Sequence, residues 1–206
     1  IVRVPHWHVL AAASVLVVDD GSPDGTADLA RSLADELGGV TVLQRSAKDG
    51  LGSAYRAGFR QVLEANPAYE VVLSMDADLS HDPGVIPAML ALIEGGADAV
   101  IGSRYVRGGG TTDWPVRRQL LSKWGNAYTR AVLRLTPRDC TSGFRAYRAG
   151  ALAAIAPGST SAEGYAFLTE LVRRLTRRGY RIVETPIVFR DRERGKSKMS
   201  GRIIVE

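Results

Sequence analysis

Short apolar runs alternate with stretches of helical period through the first half of the chain, and this alternation restricts the fold more than any other feature. Residues 15–18 (Val-Leu-Val-Val) run into the polar turn Asp19-Asp20-Gly21-Ser22-Pro23-Asp24-Gly25-Thr26, which predicts a buried strand and a turn. Residues 26–37 carry Ala27, Leu29, Ala30, Leu33 and Leu37 at helical spacing, and Gly38-Gly39 ends them. The same reading gives a strand over 40–43, a helix over 53–64 entered from Gly50-Leu51-Gly52, a strand over 71–75, a helix over 83–94 with Pro83 in its first turn, and a strand over 99–103. Strands separated by helices of this length imply βαβ units and a mostly parallel sheet. The second half is less regular: a helix over 116–135, a helix over 162–178, a strand over 182–189, and a basic loop over 190–201.

In a parallel sheet of this kind, ligands sit beyond the carboxyl ends of the strands. Asp19-Asp20, Asp76-Ala77-Asp78 and Arg104 all fall at such ends. Two carboxylates two residues apart suit a hard divalent cation, Mg²⁺ or Mn²⁺, bridging to diphosphate oxygens. Burying them together without a cation would be costly. A carboxylate at Asp20 can accept from a nucleobase or ribose, while Asp19 and Ser22 serve to cap the following helix. The glycines of Gly50-Leu51-Gly52-Ser53-Ala54-Tyr55-Arg56-Ala57-Gly58 lack both the dinucleotide fingerprint and the Gly-Lys-Ser/Thr end of a phosphate loop. A dehydrogenase and a P-loop kinase are therefore excluded, and these glycines serve a tight turn and close helix–sheet packing.

The formal charge of +5 over 206 residues points to an anionic partner such as a nucleotide, phospholipid or phosphorylated substrate. Zinc-finger spacing and RNP-type aromatics are missing, which speaks against nucleic acid. Cations concentrate over 173–202, and Arg190-Asp191-Arg192-Glu193-Arg194-Gly195-Lys196-Ser197-Lys198 has the chemistry to close over a diphosphate. Cys140 is the only cysteine, which excludes an internal disulfide and fits a reducing compartment. His6, His8 and His81 have no mutual metal-ligand spacing, and His81, just after the acidic motif, is a candidate support for it. No signal peptide is evident, and no run of 18 apolar residues exists. A membrane anchor or anchoring partner would lie outside these residues. The helix over 116–135 places Val116, Leu120, Trp124, Tyr128 and Val132 on one stripe among arginines and lysines. That stripe either packs on the sheet or lies in a bilayer interface.

Six motifs in order carry a resemblance. They are Val17 to Thr26, Gly50 to Tyr55, Met75-Asp76-Ala77-Asp78-Leu79-Ser80-His81, Gly102-Ser103-Arg104-Tyr105, Asp139-Cys140-Thr141-Ser142-Gly143-Phe144-Arg145, and Asp191-Arg192 with Gly195-Lys196-Ser197-Lys198. Together they resemble the dolichyl- and polyprenyl-phosphate mannose synthases, inverting family-2 glycosyltransferases of the GT-A fold, and the wording over 191–200 is similar to actinobacterial, mycobacterial-type members. The resemblance implies one α/β, Rossmann-like GT-A domain over 1–206, its mostly parallel central sheet flanked by helices. It implies GDP-mannose as donor, Mg²⁺ or Mn²⁺ as cofactor, and a polyprenyl monophosphate (decaprenyl or dolichyl) as acceptor, at the cytoplasmic face of a membrane.

Residue by residue, the resemblance puts Asp20 and the backbone near Val18 against the guanosine. Asp76 and Asp78 are matched to the metal, with Ala77 between them at the nucleotide sugar. Ser80 stands where some relatives carry a metal-binding glutamine. Arg104, Arg192 and Lys198 are matched to the donor phosphates, and Ser142 and Arg145 to the acceptor phosphate. Asp78, Arg192 and Lys198 are the implied catalytic set. The family opens with a strand ending in Pro-Thr-Tyr-Asn-Glu, which is absent or altered in residues 1–14, and Leu168 replaces a frequent glutamine. Open alternatives are another sugar, glucose or an amino sugar, on the same acceptor, and a non-catalytic nucleotide-sugar-binding domain. A nucleotidyltransferase would need a glycine- and lysine-rich loop near its first strand, which is not seen.

Overall fold

The computed structural model describes residues 13–46, 49–65 and 69–190. Residues 1–12 and 191–206 lie outside the described residues, and with them His6, His8, Arg192, Lys198 and nearly all of the expected N-terminal departure.

The chain enters through strand β1 (Val15–Asp19), crosses helix α1 (Thr26–Leu37), and returns as β2 (Val40–Gln44), parallel to β1 from Val15↔Val40 to Asp19↔Gln44. Two left-handed glycines, Gly38 and Gly39, both at φ +66°, turn the chain between α1 and β2, a conformation that side chains with a Cβ resist. Helix α2 (Leu51–Ala65) leads to β3 (Val71–Ser74). A single 3-10 turn at Pro83–Val85, capped by Asp82 accepting from the Gly84 N–H at 2.8 Å, precedes helix α3 (Ile86–Glu94). The predicted helix over 83–94 is thus two pieces. Strand β4 (Ala99–Ser103) is buried at all five positions, in keeping with its mostly apolar composition.

The second half supplies β5 (Gly110–Thr111), the long helix α4 (Val116–Leu133), β6 (Arg145–Arg148), α5 (Ala149–Ala154), α6 (Gly164–Arg177), β7 (Ile182–Pro186) and β8 (Val188–Phe189). The central sheet runs β3-β6-β4-β7, flanked by the pairs β1-β2 and β5-β8. The expectation of a mostly parallel sheet needs one amendment. The β1·β2, β4·β7 and β5·β8 pairings are parallel, but β6 inserts between β3 and β4 antiparallel to both. The predicted strand over 182–189 is divided at Ile187, so that β7 extends the central sheet and β8 pairs with β5.

Two apolar clusters clamp this sheet. On one side Phe59 of α2, Tyr147 of β6 and Phe167 of α6 meet around Leu152, Ile155 and Leu171. On the other, Met89 and Ile93 of α3 pack on Val100, Phe144 and Ile187. Helix α4 contributes little to either. Its only buried residue is Asn126, whose Oδ1 accepts from the Cys140 N–H at 2.8 Å. The stripe Val116, Leu120, Trp124, Tyr128, Val132 is between 59% and 72% exposed, so it does not pack on the sheet. Among the described residues no helix is long and apolar enough to cross a membrane.

Candidate active site

Strand β3 ends at Ser74 and releases the chain into Met75-Asp76-Ala77-Asp78. Asp76 and Asp78 are half-buried and Ala77 between them is exposed. The turn is held from below. The Asp76 N–H donates to His81 Nδ1 at 3.0 Å, and the Ser80 N–H donates to Asp78 Oδ1 at 3.1 Å. Leu79 sits at φ +65°, a left-handed conformation that costs a residue with a Cβ about 1–2 kcal/mol and that is tolerated where surrounding bonds fix a functional turn. His81 is buried, stacked on Phe144 at 5.1 Å and edge-on to Phe189 at 5.5 Å. Burial, opposed by the charges of Asp76 and Asp78, lowers its imidazole below the ordinary range. A neutral ring can accept at Nδ1 as this one does. The support role expected of His81 is therefore realised in the geometry.

The segment 139–145 passes beneath the acidic turn. A Cβ on Gly143 would lie 2.8 Å from the Tyr55 hydroxyl and 3.3 Å from Asp76 Oδ1, so only glycine lets the backbone come this close. Ser74 Oγ donates to the Gly143 carbonyl at 3.0 Å. Burial first, and the Asp76 charge second, push the Tyr55 phenol far above its usual range, so it stays protonated beside the carboxylate.

Arg104 follows β4 and is nearly buried. Its Nε and Nη2 donate to the two oxygens of Asp139, each at 2.7 Å, and Nη2 also reaches Thr141 Oγ1 at 2.8 Å. The backbone N–H groups of Arg104 and Ser142 complete the carboxylate at 3.1 Å each. Burial raises the Asp139 carboxyl most, but the hydrogen bonds and charge of Arg104, with the backbone donors, together outweigh it and hold it below the ordinary value of 3.8. The guanidinium carbon of Arg104 lies 5.2 Å from the Tyr105 ring centre and 5.7 Å from those of Trp114 and Phe189.

At the end of β1, Asp19 is buried and its Oδ2 accepts from the N–H groups of Gly21 and Ser22 at 3.1 and 3.0 Å. The expected helix cap is corrected: Asp19 closes its own turn, and Asp24 accepts from the Thr26 N–H and hydroxyl at the start of α1. Val18 is half-way down this strand end, and its Cγ2 lies 3.0 Å from where a Gly58 Cβ would be. Asp20 Oδ1 pairs with Arg45 Nη1 at 2.6 Å, and Arg45 Nη2 bridges on to Asp49 and Ser53.

The two residues matched to the acceptor phosphate both lie in the buried segment 139–145. Arg145 is fully buried. Its Nε donates to the Ser142 carbonyl at 2.7 Å, Nη1 to the Leu168 carbonyl at 2.8 Å and to Tyr147 Oη at 3.4 Å, and Nη2 to the Cys140 carbonyl at 2.7 Å. Ser142 is buried too, its Oγ accepting from the Phe144 N–H at 3.4 Å. Both brace the segment under Asp76. The sequence reading also missed Asp139, Arg45 and Tyr55 as site-builders. The only signal for Asp139 was its place in the 139–145 motif, since its partner is 35 residues away.

Among the described residues no cluster of three or more His, Cys, Asp and Glu side chains is arranged to hold a metal. The oxygens of the acidic turn are those of Asp76, Asp78 and the Ser80 hydroxyl, which is buried with no hydrogen-bond partner among the described residues.

Comparison with known proteins decides the family. The model of "Glycosyl transferase family 2" matches residues 10–155, the span that includes β1, both acidic turns and the 139–145 brace. The chain belongs to glycosyl transferase family 2. Within the family it is 50% identical over 194 residues to an undecaprenyl-phosphate mannosyltransferase of Micrococcus luteus, covering 94% of this chain and 79% of that protein. It is 46% identical over 200 residues to a polyprenol monophosphomannose synthase of Mycolicibacterium smegmatis, covering 97% and 75%. Among solved structures, glucosyl-3-phosphoglycerate synthase of Mycobacterium tuberculosis in complex with Mn²⁺, UDP-glucose and phosphoglyceric acid has the same fold, with a TM-score of 0.63 at 20% identity over 92% of this chain and 64% of that one. The GT-A assignment of this family-2 domain rests on that match and on the strand-end placement of its acidic turns.

Proposed function

We propose that this family-2 domain moves mannose from GDP-mannose to the phosphate of a polyprenyl monophosphate, with inversion, giving polyprenyl-phosphate mannose. The observation that carries the reading is 50% identity across nearly the whole chain to a mannosyltransferase named for such an acceptor. The acidic turn of β3, supported as that chemistry requires, agrees with it.

A divalent cation fits the turn. Asp76 and Asp78 offer hard oxygens, the Ser80 hydroxyl is an orphaned buried polar atom next to them, and Mg²⁺ and Mn²⁺ use few protein ligands together with substrate phosphates. Bound there, the ion would neutralise the leaving diphosphate as a Lewis acid. The chain's own residues do the rest. His81 and Gly143 fix the angle of the acidic turn. Asp20 and the Val18 backbone hold the guanosine at the end of β1, with Arg45 locking the Asp20 carboxylate. Arg104, preset by Asp139, and Arg192 and Lys198 stabilise the charge growing on the diphosphate. The acceptor phosphate has a second pKa of about 6, so it is mostly dianionic near neutral pH and attacks without a strong general base.

Helix α4 supports a membrane-surface location, with the acceptor presented from the bilayer. Its apolar stripe is solvent-exposed, Trp124 stacks on Tyr128 at 5.6 Å, and Arg117, Lys123 and Arg130 flank them. Such a helix lies in an interface plane, here the cytoplasmic face.

The test is a transfer assay with labelled GDP-mannose, a short polyprenyl phosphate and Mg²⁺ or Mn²⁺, run beside Asp78→Ala. Metal-dependent lipid-linked mannose that disappears in the variant is the expected result. Transfer from UDP-glucose in preference to GDP-mannose would sink the donor assignment, and retained α-configuration in the product would sink inversion.

A further inference from the structure

We propose that Thr141, held in turn by Asn126 of α4, is a positioning residue for Arg104: its hydroxyl fixes the tilt of the guanidinium and so the direction of the one nitrogen left to meet a phosphate. The proposal rests on the reading of Arg104 as a phosphate-binding cation given above.

A guanidinium carries five N–H groups. Asp139 takes the Nε hydrogen and one from Nη2, each at 2.7 Å, and the Thr141 hydroxyl takes the other from Nη2 at 2.8 Å. Nη1 makes no hydrogen bond with the described residues, so its two donors are the ones that a ligand can use. The carboxylate alone does not aim them. Two parallel bonds to its oxygens leave one freedom, a rocking of the guanidinium plane about the line through those oxygens. Nη1 lies on the far side of the guanidinium from that line and moves most. The rings of Tyr105, Trp114 and Phe189, 5.2 to 5.7 Å from the guanidinium carbon, add attraction with little direction. A third acceptor off the line, Thr141 Oγ1, stops the rocking.

Thr141 is itself fixed at three points. A hydroxyl has one hydrogen to give and two lone pairs. Here it accepts from Arg104 Nη2 and from Asn126 Nδ2 at 3.3 Å, and it donates to Asp139 Oδ1 at 3.3 Å. Asn126 is secured in the same way: Nδ2 also donates to the Ser122 carbonyl at 3.1 Å, and Oδ1 accepts from the Cys140 N–H at 2.8 Å. A buried amide is tolerated only where its bonds are made. The one buried residue of α4 thus aims a hydroxyl instead of adding to an apolar core. The result is a donor whose direction is set before the charge on the diphosphate develops, the arrangement that stabilises a transition state without reorganisation.

The experiment is steady-state transfer from GDP-mannose to a short polyprenyl phosphate, with thermal unfolding of each variant in parallel. Thr141→Val, which keeps the shape and removes the hydroxyl, and Thr141→Ser, which keeps the hydroxyl, are each measured alone and in an Arg104→Lys background. Thr141→Val should lower kcat and kcat/KM together by about ten-fold, as a lost bond to a charged group does, short of the roughly hundred-fold that a 1 Å misplacement costs. Thr141→Ser should restore turnover. In the Arg104→Lys enzyme there is no fork to hold, so Thr141→Val should change turnover by less than about two-fold. An equal fall in both backgrounds overturns the proposal, because Thr141 would then act on the fold at large. Asn126→Ala, which leaves the hydroxyl but frees it, is the second variant if Thr141→Val does not fold; the same direction of loss, again vanishing beside Arg104→Lys, is expected. Wild-type turnover in Arg104→Lys overturns the phosphate role of Arg104 and this proposal with it. Loss in Arg104→Lys beside wild-type turnover in Thr141→Val overturns the positioning role alone.

Discussion

Replacing Asp139 by asparagine should destabilise the domain more than any other isosteric change near the site. Asp139 is fully buried and accepts from Arg104 Nε and Nη2 at 2.7 Å each, and from the N–H groups of Arg104, Thr141 and Ser142 at 3.1, 3.3 and 3.1 Å. An asparagine keeps one accepting oxygen. Its NH₂ then faces donors on the other side, and the Arg104 guanidinium is left buried without a counter-charge. Breaking a buried pair from one side costs about 3–5 kcal/mol, which for a domain of this size is roughly 6–20 °C in Tm.

The pH dependence provides the second reading. The Asp139 carboxyl is depressed in the folded state from its ordinary value of 3.8. A depressed acid contributes stability that is present above the unfolded pKa and lost as pH falls through the folded one. The gap between wild type and Asp139→Asn in urea midpoint should therefore be constant from pH 8 to about pH 5 and close below about pH 4, as the wild-type carboxylate protonates. A gap that stays open to the lowest pH at which the protein folds would refute the assignment of its stability to the Asp139 charge. So would a Tm change under about 2 °C, which would mean that Arg104 has another partner.

Other perturbations separate site from scaffold. Arg145→Met removes the guanidinium donors to the Cys140, Ser142 and Leu168 carbonyls and should cost about 3 kcal/mol or more, read as a lower urea midpoint. A raised acceptor KM with unchanged stability would instead support a direct contact of Arg145 with the acceptor phosphate. Gly143→Ala forces a Cβ to 2.8 Å from the Tyr55 hydroxyl; the shift costs about 1–3 kcal/mol and should fall on the acidic turn, so metal affinity drops in a Mn²⁺ titration more than Tm does. Trp124→Ser with Tyr128→Ser should leave the urea midpoint within about 0.5 kcal/mol, since both are surface positions, and weaken binding to neutral vesicles at least ten-fold; unchanged vesicle binding would remove α4 from the interface.

What the sequence made legible is what local chemistry determines. Strand β4 is buried on both faces and reads as a mostly apolar run, and the acidic turn after β3 is visible because two carboxylates at a strand end have few inexpensive uses. Strand β6 was not legible. Arg145-Ala146-Tyr147-Arg148 is four residues long and carries two arginines, and it is a strand only because β3 and β4 on either side complete its ladder. The same segment shows what a motif leaves open at Arg145. A motif match gives an arginine a position in the chain, while its direction depends on carbonyls at Cys140, Ser142 and Leu168 that converge only after folding.

Helix α4 marks the boundary between the two kinds of information. Its stripe at every fourth residue fixes which side chains share a face, but the pattern is identical whether that face meets a sheet or a bilayer. The discriminating fact is that Asn126, on another face, is the residue held against the 139–145 segment through Cys140 and Thr141, which orients the helix and leaves the stripe outward. The same segment bonds to Arg104 through Asp139, passes under Asp76 at Gly143 and is braced by Arg145. One stretch of seven residues thus ties together the acidic turn, the cation at the end of β4 and the outward-facing helix.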